Sequence, residues 1–243
     1  MELTRDRAAE LLAAGPADSV AVVAYACGLS GAPVPVADHM AAVLLDHPRF
    51  CRHLDGRWGL TPTYDVARST TYAVVDVETT GGPFLAGHRI TEVAVAVVRD
   101  GAIHEVFETL VNPERSIPPF VSALTHITWA MVRDKPRFAD IRDDLLAALH
   151  RKVFVAHNVA FDWKFVSGEI ARAGGPPLAG RRLCTVKLAR RVLPQLRRRS
   201  LDHLARHYGV RITARHRAGG DAVATAECLI RMLGDAADRG IAV

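Results

Sequence analysis

The sequence predicts an α/β sheet covered by helices, preceded by a small helical unit that ends in a hairpin. Three observations carry this. At Thr71 the apolar pattern changes from helix-compatible spacing to short β-branched runs. Three such runs follow one another, with Asp100-Gly101 turning the second into the third. Helical and short apolar segments then alternate, and a meander followed by helix–strand–helix argues for a sheet with helices on it.

The 243 residues suffice for one large domain or for a small domain joined to a medium one. With 49% hydrophobic and 23% charged residues, the composition excludes a disordered chain. No uncharged apolar run reaches the ~18–20 residues of a membrane helix. Val20 to Leu29 is too short, and it lacks a basic leader and a cleavage site. The four cysteines form no CxxC pair, so they read as reduced thiols of a cytoplasmic protein, without structural zinc.

In chain order, Ala8 to Ala14, Val20 to Cys27 and Val36 to Leu45 have helical spacing, separated by Gly15-Pro16 and Gly31-Ala32-Pro33. Asp18 and Asp38 stand where N-caps would be useful. Two short segments flanking Asp55-Gly56 read as a hairpin with a two-residue turn. Three helices and a hairpin resemble a winged helix, expected over residues 1–68 and holding either DNA or a protein partner. Thr61-Pro62 to Ser69 reads as the linker to a domain over 69–243. Strands are expected at Tyr72 to Val77, Ile90 to Val98, Ile103 to Val111 and Val153 to Ala156. Helices are expected at Phe138 to Leu149, Val159 to Ala173, Thr185 to Leu193, Ser200 to Tyr208 and Gly220 to Leu233.

The net charge of +5 is uneven. Residues 1–70 hold 6 Lys and Arg against 8 Asp and Glu, and residues 71–243 hold 25 against 18. Arg181 to Arg217 alone holds 12 Lys and Arg and one acid, Asp202. That excess, with Arg197, Arg198 and Arg199 at its centre, is more than solubility requires and favours a polyanionic partner.

Three segments carry chemistry. Asp76-Val-Glu78 closes the first strand of the larger unit, and side chains two apart share a face, so the carboxylates repel unless a divalent cation joins them. His157-Asn158-Val-Ala-Phe161-Asp162 follows Val153 to Ala156, placing Asp162 in the first turn of a helix at a strand's carboxyl end. His216-Arg-Ala-Gly-Gly-Asp221 opens the last helix, and an imidazole there can take a proton from water near neutral pH. Each alone has a bland counterpart: solvated acids, a helix-start Asp favoured by the dipole, a surface histidine. Together and in this order they resemble the DEDD 3′–5′ exonucleases of the histidine-bearing branch, typified by the epsilon proofreading subunits of bacterial DNA polymerase III. The likeness runs from about Thr71 to Leu233 and includes Ile127-Thr-x-x-Met131-Val, Cys184-Thr-x-x-Leu188-Ala-Arg and Ser200-Leu-Asp-x-Leu-Ala.

The resemblance implies a ribonuclease H-like mixed sheet flanked by helices and hydrolysis with two divalent cations, Mg²⁺ or Mn²⁺. Asp76, Glu78 and Asp221 would hold one cation, Asp76 would bridge to the second with Asp162 supporting it, and His216 would be the general base. The expected reaction releases 5′-monophosphates from single-stranded or frayed DNA 3′ ends, in repair or proofreading. Trimming of RNA 3′ ends is the alternative within the class, and a non-catalytic nucleic-acid-binding scaffold is the alternative outside it. Backbone at Thr79 and Thr80 would meet the terminal nucleotide, and Asn158 and Phe161 would shape its pocket. His126 stands where relatives often carry Gly, at a segment bordering that nucleotide, and Trp129 beside it suits either base stacking or a packing anchor. A long polymerase-binding tail is not expected.

Overall fold

The computed structural model describes residues 1–47, 49–61, 69–241 and 243. By contacts the chain divides into two compact units, Thr70–Met232 and Met1–Ser69 together with Leu233–Val243. The final residues, expected in the larger domain, are therefore grouped with the smaller unit. The expected linker lies, except at its ends, outside the described residues. Among the described residues no helix is long and apolar enough to cross a membrane.

The smaller unit contains helices α1 (Glu2–Ala13), α2 (Ser19–Cys27) and α3 (Val34–Leu44) and an antiparallel pair, β1 (Phe50–Arg52) and β2 (Trp58–Leu60). Val22, Val23, Ala41, Leu44, Phe50, Trp58 and Leu60 form its core. Asp18 caps α2 as expected, accepting from the Ala21 N–H at 2.8 Å. Asp38 caps nothing. It lies inside α3, which begins at Val34 with Pro35 in its first turn, and its carboxylate accepts from Ser19 Oγ. The hairpin connection is also wider than two residues. The His53 N–H bonds the Arg57 carbonyl, the Gly56 N–H bonds the His53 carbonyl, and Gly56 has φ +83°, giving a turn plus a left-handed residue.

The larger unit is a five-stranded mixed sheet in the order β5-β4-β3-β6-β7. β3 (Tyr72–Thr79), β4 (Ile90–Arg99) and β5 (Ala102–Leu110) form the antiparallel meander. Asp100 and Gly101, both at positive φ, turn β4 into β5. β6 (Val153–Ala156) adds parallel to β3, and β7 (Arg182–Cys184) parallel to β6. Burial on both faces explains the near-continuous apolar runs of β3, β4 and β6. One face packs Ala73, Val75, Val95 and Phe154 against α6 (Phe138–Leu149) and α7 (Val159–Arg172), through Phe138, Leu145, Phe165 and Ile170. Helices α8 (Thr185–Val192), α9 (Leu201–Tyr208) and α10 (Ala218–Asp238) follow.

Four elements go beyond the sequence pattern: β7, α4 (Pro119–Thr125), α5 (Trp129–Val132) and a short 3-10 helix, Phe84–Ala86. Pro118-Pro119 reads as a breaker, yet Pro119 sits at the first helical position, where its missing N–H costs nothing.

The parallel pairing of β3 with β6 brings the carboxyl ends of both strands to one edge of the sheet. That edge is where α7 starts.

Candidate active site

β3 occupies the centre of the sheet, so Asp76 and Glu78 near its carboxyl end stand on the strand that is paired on both sides. β6 ends at Ala156, and the chain turns into α7 through Asn158 in the left-handed conformation (φ +73°). That abrupt start places Asp162 in the first turn of α7, 4% exposed. The third segment folds back on itself. At Gly220 a Cβ would come within 2.3 Å of the Ala214 carbonyl oxygen, so glycine permits the closure. The loop brings the His216 N–H to Asp221 Oδ2 at 3.3 Å.

These segments converge on an open cleft of about 210 Å³ lined by Asp76, Glu78, Asp162, His216 and Asp221, with Asn158 and Phe161 at its wall. Single ligand atoms of Glu78, His216 and Asp221 lie within 4.8 Å of one another. Phe161 is 43% exposed, so it belongs to the cleft rather than the core. His157, Leu201 and Arg215 also line it.

Packing four carboxylates together shows in their proton affinities. Burial raises Asp76 well above the usual carboxylate range, and the charges of Asp162, Asp221 and Glu78 raise it further. Burial, then Asp221 and Glu92, push Glu78 to about 7. Burial pushes Asp162 to about 8 against the opposing pull of backbone N–H donors. Asp221 is raised by burial and held back by Arg215. His157 is driven down to about 4, chiefly by burial, so it is a neutral ring whose Nδ1 meets Thr185 Oγ1 at 3.0 Å.

A divalent cation would relieve this repulsion. Asp221 Oδ1 is buried without a hydrogen-bond partner, an acceptor left for a ligand. An oxygen-rich donor set suits hard divalent ions.

Two arginines whose ion pairs sequence reasoning misses support the site. Glu92 on β4, 1% exposed, pairs in register with Glu78. It accepts from Arg217 Nε at 3.0 and 3.1 Å, from Arg217 Nη2, and from the Ala218 N–H at 2.8 Å, pinning the loop that carries His216. Arg215 bridges Asp202 and Asp221. A signal for the first exists: Glu92 is the lone acid in an apolar strand, and a buried charge needs a partner.

Other expected contacts are not at the cleft. Thr79 and Thr80 are buried. The Thr80 N–H bonds the Arg89 carbonyl at 2.9 Å and Thr80 Oγ1 meets His88 Nδ1 at 2.9 Å, so both groups are engaged within the turn. His126 is exposed at the end of α4 with φ +59°, which explains why glycine suits that position. Trp129 is 44% exposed. Arg197 and Arg198 lie on the same loop, but Arg199 folds back to donate to the carbonyls of Leu193 and Pro194 at 3.1 and 3.3 Å. Arg199 is therefore a loop fastener rather than part of a surface patch.

Gly81, just past the acidic pair, has φ +95°, and a Cβ there would meet Val121 Cγ2 at 2.4 Å. Gly81→Ala is expected to cost roughly 1–3 kcal/mol, read as a lowered Tm; an unchanged Tm would contradict the tight turn.

Comparison with known proteins decides the family. The model of the exonuclease family (RNase T) matches residues 73–229, which include every residue named at the cleft. The chain belongs to the exonuclease family. A PolC-type DNA polymerase III of Staphylococcus haemolyticus is 34% identical over 182 residues, covering 74% of this chain and 12% of the polymerase. The 3′–5′ exonuclease DinG of Bacillus subtilis is 35% identical over 162 residues, covering 67% of this chain and 17% of that protein. The chain thus spans under a fifth of the length of these relatives. The structure of exonuclease X in complex with a 5′-overhanging duplex DNA aligns with a TM-score of 0.56 and 31% identity, covering 70% of this chain and 97% of that one. The nuclease domain of 3′hExo, a DEDDh family member bound to rAMP, aligns with a TM-score of 0.60 at 20% identity, over 70% and 94% of the two chains. The larger unit therefore has the ribonuclease H-like exonuclease fold. Residues 73–229 are thus a domain of this exonuclease family, whose members are nucleases of the hydrolase class. Divalent-metal dependence is a property of this exonuclease family.

Proposed function

We propose that the protein removes nucleotides from single-stranded or frayed DNA 3′ ends, releasing 5′-monophosphates, with two Mg²⁺ or Mn²⁺ ions. The observation that carries this reading is the meeting of Asp76, Glu78, Asp162, His216 and Asp221 in one cleft. DNA is favoured because the relatives at 30% identity and above include a DNA polymerase and an exonuclease solved on DNA. The neighbour bound to rAMP shares only the fold at its 20% identity.

Asp76, Glu78 and Asp221 would hold one ion, and Asp76 with Asp162 the other. Bound there, two such ions would supply Lewis-acid stabilisation of the entering and leaving oxygens. His216, on the approach loop and beside Glu78 and Asp221, takes the proton of the attacking water. Asn158 and Phe161 form the wall against which the terminal nucleotide rests. Arg197 and Arg198 draw the strand toward the cleft. The smaller unit carries an acid excess, which favours a protein partner over DNA for this winged-helix-like part.

The test is digestion of 5′-labelled single-stranded DNA and RNA of matched sequence with Mg²⁺ or Mn²⁺. A ladder shortening from the 3′ end, faster on DNA and abolished by chelation, is expected. Faster RNA cleavage would transfer the reading to an exoribonuclease, and binding without cleavage of either would leave a scaffold. Arg197→Glu with Arg198→Glu should weaken strand binding and flatten its salt dependence, by about 0.7 in log–log slope for each phosphate that is no longer neutralised. An unchanged slope would remove these residues from the strand's path.

A further inference from the structure

Among the described residues lining the cleft, Arg215 is the sole permanent cation. Its nitrogens are divided between two acids. Nε donates to Asp202 Oδ1 at 2.8 Å and Nη2 to Asp202 Oδ2 at 3.2 Å, a side-on bidentate pair. Nη1, on the other edge of the guanidinium, donates to Asp221 Oδ2 and lies 3.4 Å from His216 Nδ1. Among the described residues the second oxygen of Asp221 has no hydrogen-bond partner. One carboxylate oxygen is thus claimed by an arginine, while its buried twin is left unsatisfied.

We propose that Arg215 is a tethered competitor of the divalent cation at Asp221. With no cation bound, Nη1 neutralises Asp221 and holds it beside His216. A cation taking Asp221 displaces that hydrogen bond, while Asp202 keeps the guanidinium at the rim through its other two nitrogens. Arg215 therefore lowers the cation affinity of the site in two ways. A charge-assisted hydrogen bond must be given up, and a positive charge stays within a few ångströms of the incoming one. The role of Asp202 follows from the geometry. A guanidinium held bidentately on Asp202 can offer Asp221 only one nitrogen, so the tether limits how strongly Arg215 competes.

The inference rests on the reading that Asp221 holds a cation, and the two can be separated by titrating Mn²⁺ alone, without nucleic acid. Calorimetry or the Mn²⁺-induced rise in Tm is followed for the full chain and for Arg215→Gln, Arg215→Lys and Asp202→Asn at pH 8.5. Arg215→Gln should bind Mn²⁺ about tenfold more tightly or better, the equivalent of one charge-assisted hydrogen bond. Arg215→Lys, which cannot reach both acids in a fork, should also bind more tightly, by a smaller factor. Asp202→Asn should bind more weakly, because the released guanidinium turns fully onto Asp221. A merely structural role would weaken binding in all three variants. That result, or unchanged affinity on removing the arginine, would overturn the competitor role while leaving the cation site standing. Absence of Mn²⁺ binding by the unmodified protein would overturn both.

Discussion

Asp76→Ala is expected to leave a folded protein whose kcat/KM on single-stranded DNA falls by about three powers of ten or more. Asp162, Asp221 and Glu78 all raise the proton affinity of Asp76, so it stands where the acids meet. Removing a group that would be shared by two cations would forfeit several kcal/mol of transition-state stabilisation, and each ~1.36 kcal/mol is a factor of ten in rate. Stability should move the other way. Deleting one of several mutually repelling buried acids relieves strain, so in EDTA the variant should melt at or above the temperature of the parent protein. Activity within tenfold of the parent, measured on 5′-labelled strands, would refute the assignment. A fall in Tm with the activity loss would point to a structural Asp76 instead.

A second large effect concerns pH. Asp162 titrates near 8 in the folded chain and, as an ordinary carboxyl, near ~3.9 when unfolded. Between these values the folded protein keeps a proton that the unfolded chain has lost, so stability falls as pH rises. The contribution is full below about 4 and gone above about 8. Glu78, near 7 when folded, acts in the same direction over a slightly narrower window. Without divalent cations, Asp162→Asn should therefore melt several °C above the parent at pH 8.5, with a smaller margin at pH 5. Mn²⁺ should reverse the ranking, stabilising the parent more at pH 8.5 than at pH 6 because cation and proton compete for the same oxygens. Parallel pH profiles of the two proteins in EDTA would exclude Asp162 as a buried, protonated acid.

What the amino-acid order discloses depends on the reach of each interaction. Asp76, Glu78, Asp162, His216 and Asp221 can be named because each lies at or beside an element boundary that local pattern reveals. The meander and the β6–α7 unit are legible for the same reason, since period and turn chemistry are local. The Glu92–Arg217 clamp joins residues far apart in sequence, and only the lone acid in an apolar strand hints at it. Arg215 and Arg199 count as surface charge in the sequence, because composition does not distinguish a solvated guanidinium from one turned inward. β7 is hidden because three residues with an exposed first position show no alternation, and α4 because its leading proline imitates a stop. Thr79 and Thr80 earn their assignment only from their place in a motif, whereas their hydrogen-bonding capacity goes to the turn itself.

The central strand supplies two carboxylates, the helix after its parallel neighbour a third, and the opening turn of the last helix a fourth. Such a site has no local precursor. A growing chain that has emerged from the ribosome as far as α9 carries Asp76, Glu78 and Asp162 but neither His216 nor Asp221. Closing so long a loop comes late and is entropically unfavourable, so the proposed hydrolytic competence would arrive only with that helix, and copies broken off before it would lack it.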